Sequence, residues 1–143
     1  MARSEVTLKS TFRQALAALI FLVAVIGAAW AGVDTARSVG PGEAQALIRG
    51  NIGNREFVVL DVRTPGEFAQ GHIEGAVLVD YLSPGFRQEM AGLDKTKTYL
   101  VYCRTGNRST SAVGIMSELG FRSTYHLEGG MVRWLEEGMP AVR

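Results

Sequence analysis

The stretch from Thr98 to Ser109 constrains the chain more than any other, because it changes character twice within a short span. Thr98-Tyr99-Leu100-Val101-Tyr102 is β-branched and aromatic and predicts a buried strand. From Ser109 onward, Ala112, Val113, Met116 and Leu119 recur at helical spacing until Gly120, which predicts a helix with Ser109 as its N-cap. The chain must therefore pass from a strand end to a helix start through Cys103-Arg104-Thr105-Gly106-Asn107-Arg108. In such a loop, successive backbone N–H groups converge, and the helix adds its unpaired N–H groups and the positive end of its dipole, which makes an anion cradle.

Cys103 is the chain's single cysteine and stands at the mouth of that cradle. Next to cations and a helix N-terminus a thiol falls from about 8.5 to roughly 3.5–7.5 in pKa, so the thiolate prevails at neutral pH. Arg104 and Arg108 supply the cations. The competing reading is an inert, buried thiol acting as a small hydrophobe. Two guanidinium groups, a glycine and hydroxyls clustered beside the sulfur favour a reactive one.

The rest of the chain alternates strand and helix. Pro41–Gly50 predicts a short helix with Ala44, Leu47 and Ile48 on one face, Pro early and Gly late. Phe57-Val58-Val59-Leu60-Asp61-Val62 is a continuous apolar run broken only by Asp61, as expected of a parallel strand covered on both faces. A short helix runs from Pro65 to Gly71, a strand over Ala76–Val79, a helix within Pro84–Leu93, a strand over Thr124–Leu127 and a last helix over Met131–Glu137. His72, His126 and Trp134 read as structural. The pattern predicts an α/β domain.

Composition removes several function classes. A net charge of +1 without a basic stripe gives no ground for a nucleic-acid partner. One cysteine forbids an internal disulfide, and two histidines far apart show no zinc spacing, so neither a metal nor another cofactor is expected. The N-terminus carries Arg3, Lys9 and Arg13 against Glu5, followed by the uncharged run Ala15–Ala31 that ends in Ala29-Trp30-Ala31. That pattern predicts a secretory signal over residues 1–31, cut between Ala31 and Gly32, with an uncleaved membrane anchor as the alternative. Either way the remainder is exported, to the periplasm on the first reading. Removal of residues 1–31 leaves twelve basic and thirteen acidic side chains. Residues 32–40 read as a linker and 41–143 as the domain.

Three segments together resemble the rhodanese-like family, in particular small single-domain bacterial members that follow a signal sequence. They are Asp61-Val62-Arg63-Thr64-Pro65 with Glu67-Phe68 and Gly71-His72-Ile73-Glu74-Gly75-Ala76, the loop Cys103 to Arg108, and Leu127-Glu128-Gly129-Gly130-Met131 with Trp134. The resemblance covers residues 41–140 and implies a central parallel sheet with helices on both faces. It also implies sulfur transfer from a donor such as thiosulfate to cyanide or a thiol, through a persulfide on Cys103. On that footing the backbone amides of Arg104, Thr105, Gly106, Asn107, Arg108 and Ser109 hold the persulfide, and Arg104 and Arg108 attract an anionic donor. Asp61 and Arg63 support the loop, and Glu67 stands four residues after Arg63, at a spacing that suits an ion pair. In some two-domain relatives an arginine near the Glu67 position contacts thiosulfate; an acid stands here instead.

Alternatives within the resemblance differ in chemistry. Phosphatases and arsenate reductases of the family carry C-x5-R loops, whereas Cys103 to Arg108 is C-x4-R. Non-catalytic binding modules often lack the cysteine that is retained here. The partners implied are a small sulfur donor and a small acceptor, with an exported protein acceptor as a further option and a membrane only if residues 1–31 stay attached.

Overall fold

The computed structural model describes residues 36–143, so the predicted signal or anchor segment lies outside the described residues. No helix among the described residues is long and apolar enough to cross a membrane.

Among the described residues ten elements follow one another in strict alternation. They are β1 (Arg37–Val39), α1 (Pro41–Gly50), β2 (Phe57–Asp61), α2 (Pro65–Gln70), β3 (Val77–Leu78), α3 (Phe86–Ala91), β4 (Thr98–Tyr102), α4 (Asn107–Glu118), β5 (Ser123–Leu127) and α5 (Gly130–Glu136). The strands form one parallel sheet in the order β1-β5-β4-β2-β3. β4 lies at its centre, with Leu60 opposite Val101 and Asp61 opposite Tyr102 on one side and Val101 opposite His126 on the other.

Side chains alternate across a strand, so β4 serves two cores. Tyr99 and Val101 face one core, built with Leu60, Phe86, Met90, Ala112, Val113 and Met116 from β2, α3 and α4. Leu100 and Tyr102 face the other, with Val39, Ala44, Leu127, Met131 and Trp134 from β1, α1, β5 and α5. The sheet is thus covered on both faces, as the apolar runs require. Cys103 continues the parity of Tyr99 and Val101 and falls on the α4 side. Position in the strand therefore delivers the thiol to the start of the helix that follows.

Two expectations change. Arg37–Val39, assigned above to a linker, is a strand paired in parallel with Tyr125–Leu127, and Val39 is buried in the core. A three-residue edge strand carries too little local pattern to be read, and its pairing comes from the neighbouring strand. The helix after the thiol loop starts at Asn107 with Gly106 as its N-cap, so Ser109 sits inside the first turn and is not the cap. Trp134 is buried and donates its indole N–H to the Pro140 carbonyl at 2.8 Å, in keeping with a packing role.

Candidate active site

The loop after β4 closes on its own cysteine. Gly106 adopts φ +105°, a left-handed conformation that glycine takes without strain, and the turn aims its N–H at Cys103 Sγ at 3.1 Å. The Ser109 hydroxyl lies 3.4 Å from the same sulfur. Cys103 and Ser109 are buried, whereas Arg104, Thr105 and Asn107 are exposed. Burial alone pushes the thiol up; the Ser109 hydroxyl and then the N–H groups of Ser109, Gly106 and Thr105 outweigh it, so the thiol lies below its ordinary pKa. Of the loop amides expected to converge, that of Gly106 meets the sulfur at hydrogen-bond distance, and the Ser109 hydroxyl joins it.

A second helix braces the loop from behind. At the start of α5, Met131 N–H donates to the Cys103 carbonyl at 2.9 Å and Val132 N–H to the Arg104 carbonyl at 3.0 Å. This approach requires Gly130. Its φ is +56°, and a Cβ there would collide with the Cys103 carbonyl oxygen and stand 2.8 Å from backbone atoms of Arg104. Gly130→Ala is expected to cost about 2 kcal/mol or more in chemical denaturation, from left-handed strain and overpacking together. A loss below about 0.5 kcal/mol would show that the loop yields freely.

The arginines divide their work differently from the sequence expectation. Arg63 binds Asp61, with Nε at 3.0 Å from each carboxylate oxygen and an Nη at 2.7 Å, and also donates to the Gly71 carbonyl at 2.8 Å. Glu67 does not pair with Arg63. It takes Arg108 in a bidentate pair at 2.7 and 2.8 Å and closes a capping box at the start of α2 with Thr64. Arg63 is drawn inward to the buried Asp61, which leaves Glu67 to the guanidinium arriving from α4. Between Asp61 and Arg63, Val62 N–H donates to the carbonyl of Tyr102, the residue before Cys103, so the end of β2 runs beside the start of the thiol loop. Arg108 shares its charge with Glu67, whereas Arg104 makes no ion pair among the described residues and stays exposed. Arg104 instead borders an open hollow of about 570 Å³ with Arg63, Glu67, Met131, Leu135 and Arg143.

The Arg108 hydrogen bonds, opposed by partial burial and then aided by Thr64, bring Glu67 down to about 2. A carboxylate held below its unfolded value of about 4.3 stabilises the fold above that value, and the contribution is lost as pH falls toward about 2. The pair is partly solvated, so the share expected is about 1–2 kcal/mol. Urea denaturation of the parent and of Glu67→Gln should show the gap between them narrowing by that amount between about pH 6 and pH 2. A gap unchanged with pH would contradict the ion-pair account.

The histidines part company. His72 stacks on Phe68 with ring centroids 3.7 Å apart, Nδ1 lies 3.1 Å from the Phe68 carbonyl, and its backbone pairs with Val142. His126 is different. Its Nε2 lies 3.0 Å from Ser109 Oγ and 3.2 Å from the Gly106 carbonyl oxygen, at the back of the thiol loop. The sequence pattern read His126 as structural and did not place it beside the thiol loop. The only signal available was parallel strand adjacency, which sets β5 beside β4 and so brings His126 toward the thiol loop.

A buried cysteine that takes the Gly106 N–H and the Ser109 hydroxyl, set between a strand end and a helix start, marks a thiol site in an α/β domain. The chain matches the family described as "Rhodanese-like domain" over residues 44–137, and it belongs to that family. It is similar to a sulfurtransferase of Allochromatium vinosum, 31% identical over 101 residues, which cover 70% of this chain and 92% of that protein. Thiosulfate sulfurtransferase 16 of Arabidopsis thaliana is 33% identical over 91 residues, covering 57% of this chain and 76% of that protein. The probable adenylyltransferase/sulfurtransferase MoeZ of Mycobacterium tuberculosis is 35% identical over 86 residues, 60% of this chain, and the match spans only 22% of that longer protein. Among solved structures, a rhodanese-related protein of Thermoplasma volcanium superposes with a TM-score of 0.61 at 36% identity, covering 74% of this chain and 97% of that one.

Proposed function

We propose that this domain is a sulfurtransferase that moves a sulfane sulfur from an anionic donor of the thiosulfate class to cyanide or a thiol. The observation that carries the reading is the convergence of the Gly106 N–H and the Ser109 hydroxyl on Cys103 Sγ. Sulfurtransferase relatives and the four-residue gap between Cys103 and Arg108 support sulfur over phosphate as the transferred group. In the first step the Cys103 thiolate attacks the outer sulfur of thiosulfate. A sulfur–sulfur bond forms to Cys103, the donor's own sulfur–sulfur bond breaks, and its electron pair leaves with sulfite. The negative charge moves to the outer sulfur of the persulfide. Cyanide or a thiolate then attacks that sulfur, and the bonding pair returns to Cys103 as thiolate. Splitting one transfer into two displacements is covalent catalysis, and the fixed N–H dipoles stabilise the anion at each stage.

Arg104, which is exposed beside the hollow and makes no ion pair among the described residues, is assigned to drawing in the anionic donor. The same reading places the domain outside the cytoplasm, on the strength of the positive start and the apolar run Ala15–Ala31. A soluble exported form beginning at Gly32 supports cleavage; an intact N-terminus in the membrane fraction refutes it. For the chemistry, intact-protein mass spectrometry after thiosulfate treatment should show one added sulfur, removed by cyanide with release of thiocyanate. Absence of the added sulfur, or efficient phosphomonoester hydrolysis without thiocyanate, would overturn the assignment.

A further inference from the structure

The hydrogen bonds behind the thiol loop do not add up unless one of them moves. Four groups contend for the Gly106 carbonyl oxygen: Thr110 N–H at 2.9 Å, the Ser109 and Thr110 hydroxyls at 2.9 Å each, and His126 Nε2 at 3.2 Å. A carbonyl oxygen offers two lone pairs. Ser109, meanwhile, has one hydroxyl hydrogen and two fixed acceptors for it, the Gly106 carbonyl and Cys103 Sγ at 3.4 Å, with His126 Nε2 a third whenever that nitrogen carries no hydrogen. Ser109 is fully buried, so solvent does not settle the competition.

We propose that His126 is a positioning residue for the thiol: its Nε2–H occupies the Gly106 carbonyl and the Ser109 oxygen, and thereby turns the Ser109 hydroxyl hydrogen toward Cys103 Sγ. With hydrogen on Nε2, the imidazole donates to both oxygens, at 3.0 Å to Ser109 and 3.2 Å to Gly106, and the hydroxyl hydrogen is released to the sulfur. With Nε2 bare, that nitrogen is a closer acceptor for the hydroxyl than the sulfur is, at 3.0 against 3.4 Å, and the thiolate loses its side-chain donor. His126 touches no reacting atom and acts through Ser109. No charged side chain among the described residues makes a hydrogen bond or ion pair with the ring; its recorded partners are Gly106, Ser109 and Thr110.

The arrangement also suits a charge that moves. A hydrogen bond to an ionised acceptor is roughly twice as strong as a neutral one, so the hydroxyl points to the sulfur while Cys103 is a thiolate. When the charge passes to the outer sulfur of a persulfide, the hydroxyl swings back toward Gly106. The consequence for turnover rests on the sulfur-transfer reading, but the thiol effect does not, and the test reads the thiol directly.

Cys103 is the only cysteine, so thiolate ultraviolet absorbance and the alkylation rate with iodoacetamide report on it alone. His126→Leu is expected to raise the thiol titration midpoint enough to lower the thiolate fraction roughly tenfold below that midpoint. His126→Gln, which keeps an amide N–H near the Nε2 position, should restore most of it. His126→Asn is polar but too short to reach, and should titrate as His126→Leu does. Ser109→Ala should raise the midpoint at least as far, and adding His126→Leu to it should change nothing more, because the two act as one unit. An unshifted thiol in folded His126→Leu or His126→Asn would overturn the proposal. So would an undiminished effect of the His126 change without the Ser109 hydroxyl. Failure of the mass test with these thiol shifts intact would count against sulfur transfer alone.

Discussion

Cys103→Ser is expected to fold like the parent and to lose sulfur transfer by at least about a thousandfold. The site explains why a hydroxyl does not substitute. Both groups that hydrogen-bond to Cys103 Sγ among the described residues are donors, the Gly106 N–H and the Ser109 hydroxyl. Among the described residues no carboxylate or imidazole hydrogen-bonds to Cys103, so the site stabilises an anion already formed and holds no base in contact to create one. A thiol whose pKa is lowered ionises under those conditions; an alcohol stays neutral and becomes one more donor facing donors. The side chain is nearly the same size in a buried position, so melting temperature should change little. Thiocyanate formation and the sulfur mass shift provide the measurement, and retention of more than about one per cent of the parent rate would show that the reacting group lies elsewhere.

How much of this was legible in the chain depended on the range of each interaction. β2 and β4 were readable because a strand covered on both faces must be apolar along its whole length, and that pattern is local. The thiol loop was readable because its glycine, hydroxyls and arginines sit within six positions of the cysteine. β1 was not, since three residues at a sheet edge acquire their identity from β5, more than eighty positions on. The Glu67–Arg108 pair spans forty-one residues, and a nearer partner, Arg63, satisfied the local spacing rule while the buried Asp61 claimed it in space. His126 stands seventeen residues from Ser109, and only the parallel order β5-β4 brings the two together. Ser109 was named as part of the site for its place at a helix start; the fold moved that start to Asn107 and left the hydroxyl facing the sulfur.

Asp61→Ala should be the most damaging change to stability among the residues that support the loop, costing about 3 kcal/mol in chemical denaturation. Asp61 is fully buried and Arg63 nearly so, at 0% and 5% exposure. Truncation leaves the guanidinium with only the Gly71 carbonyl and the face of Tyr102, whose ring centre lies 5.5 Å away. The loss falls toward the lower end of the range for a broken buried pair because Arg63 borders the open hollow, and water entering there recovers part of its solvation. The damage should spread along the strand. Tyr102 sits opposite Asp61 in the sheet, takes the Ile73 N–H on its hydroxyl at 3.1 Å, and immediately precedes Cys103, so loosening it displaces the thiol from its donors. Transfer should therefore slow, but less than in Cys103→Ser, because Asp61 touches no reacting atom. Joining Asp61→Ala to Arg63→Met removes the stranded charge and should recover most of the lost stability. A double variant no more stable than Asp61→Ala alone would mean that the carboxylate acts through its hydrogen bond to the Arg63 backbone N–H at 2.9 Å, and not through the ion pair.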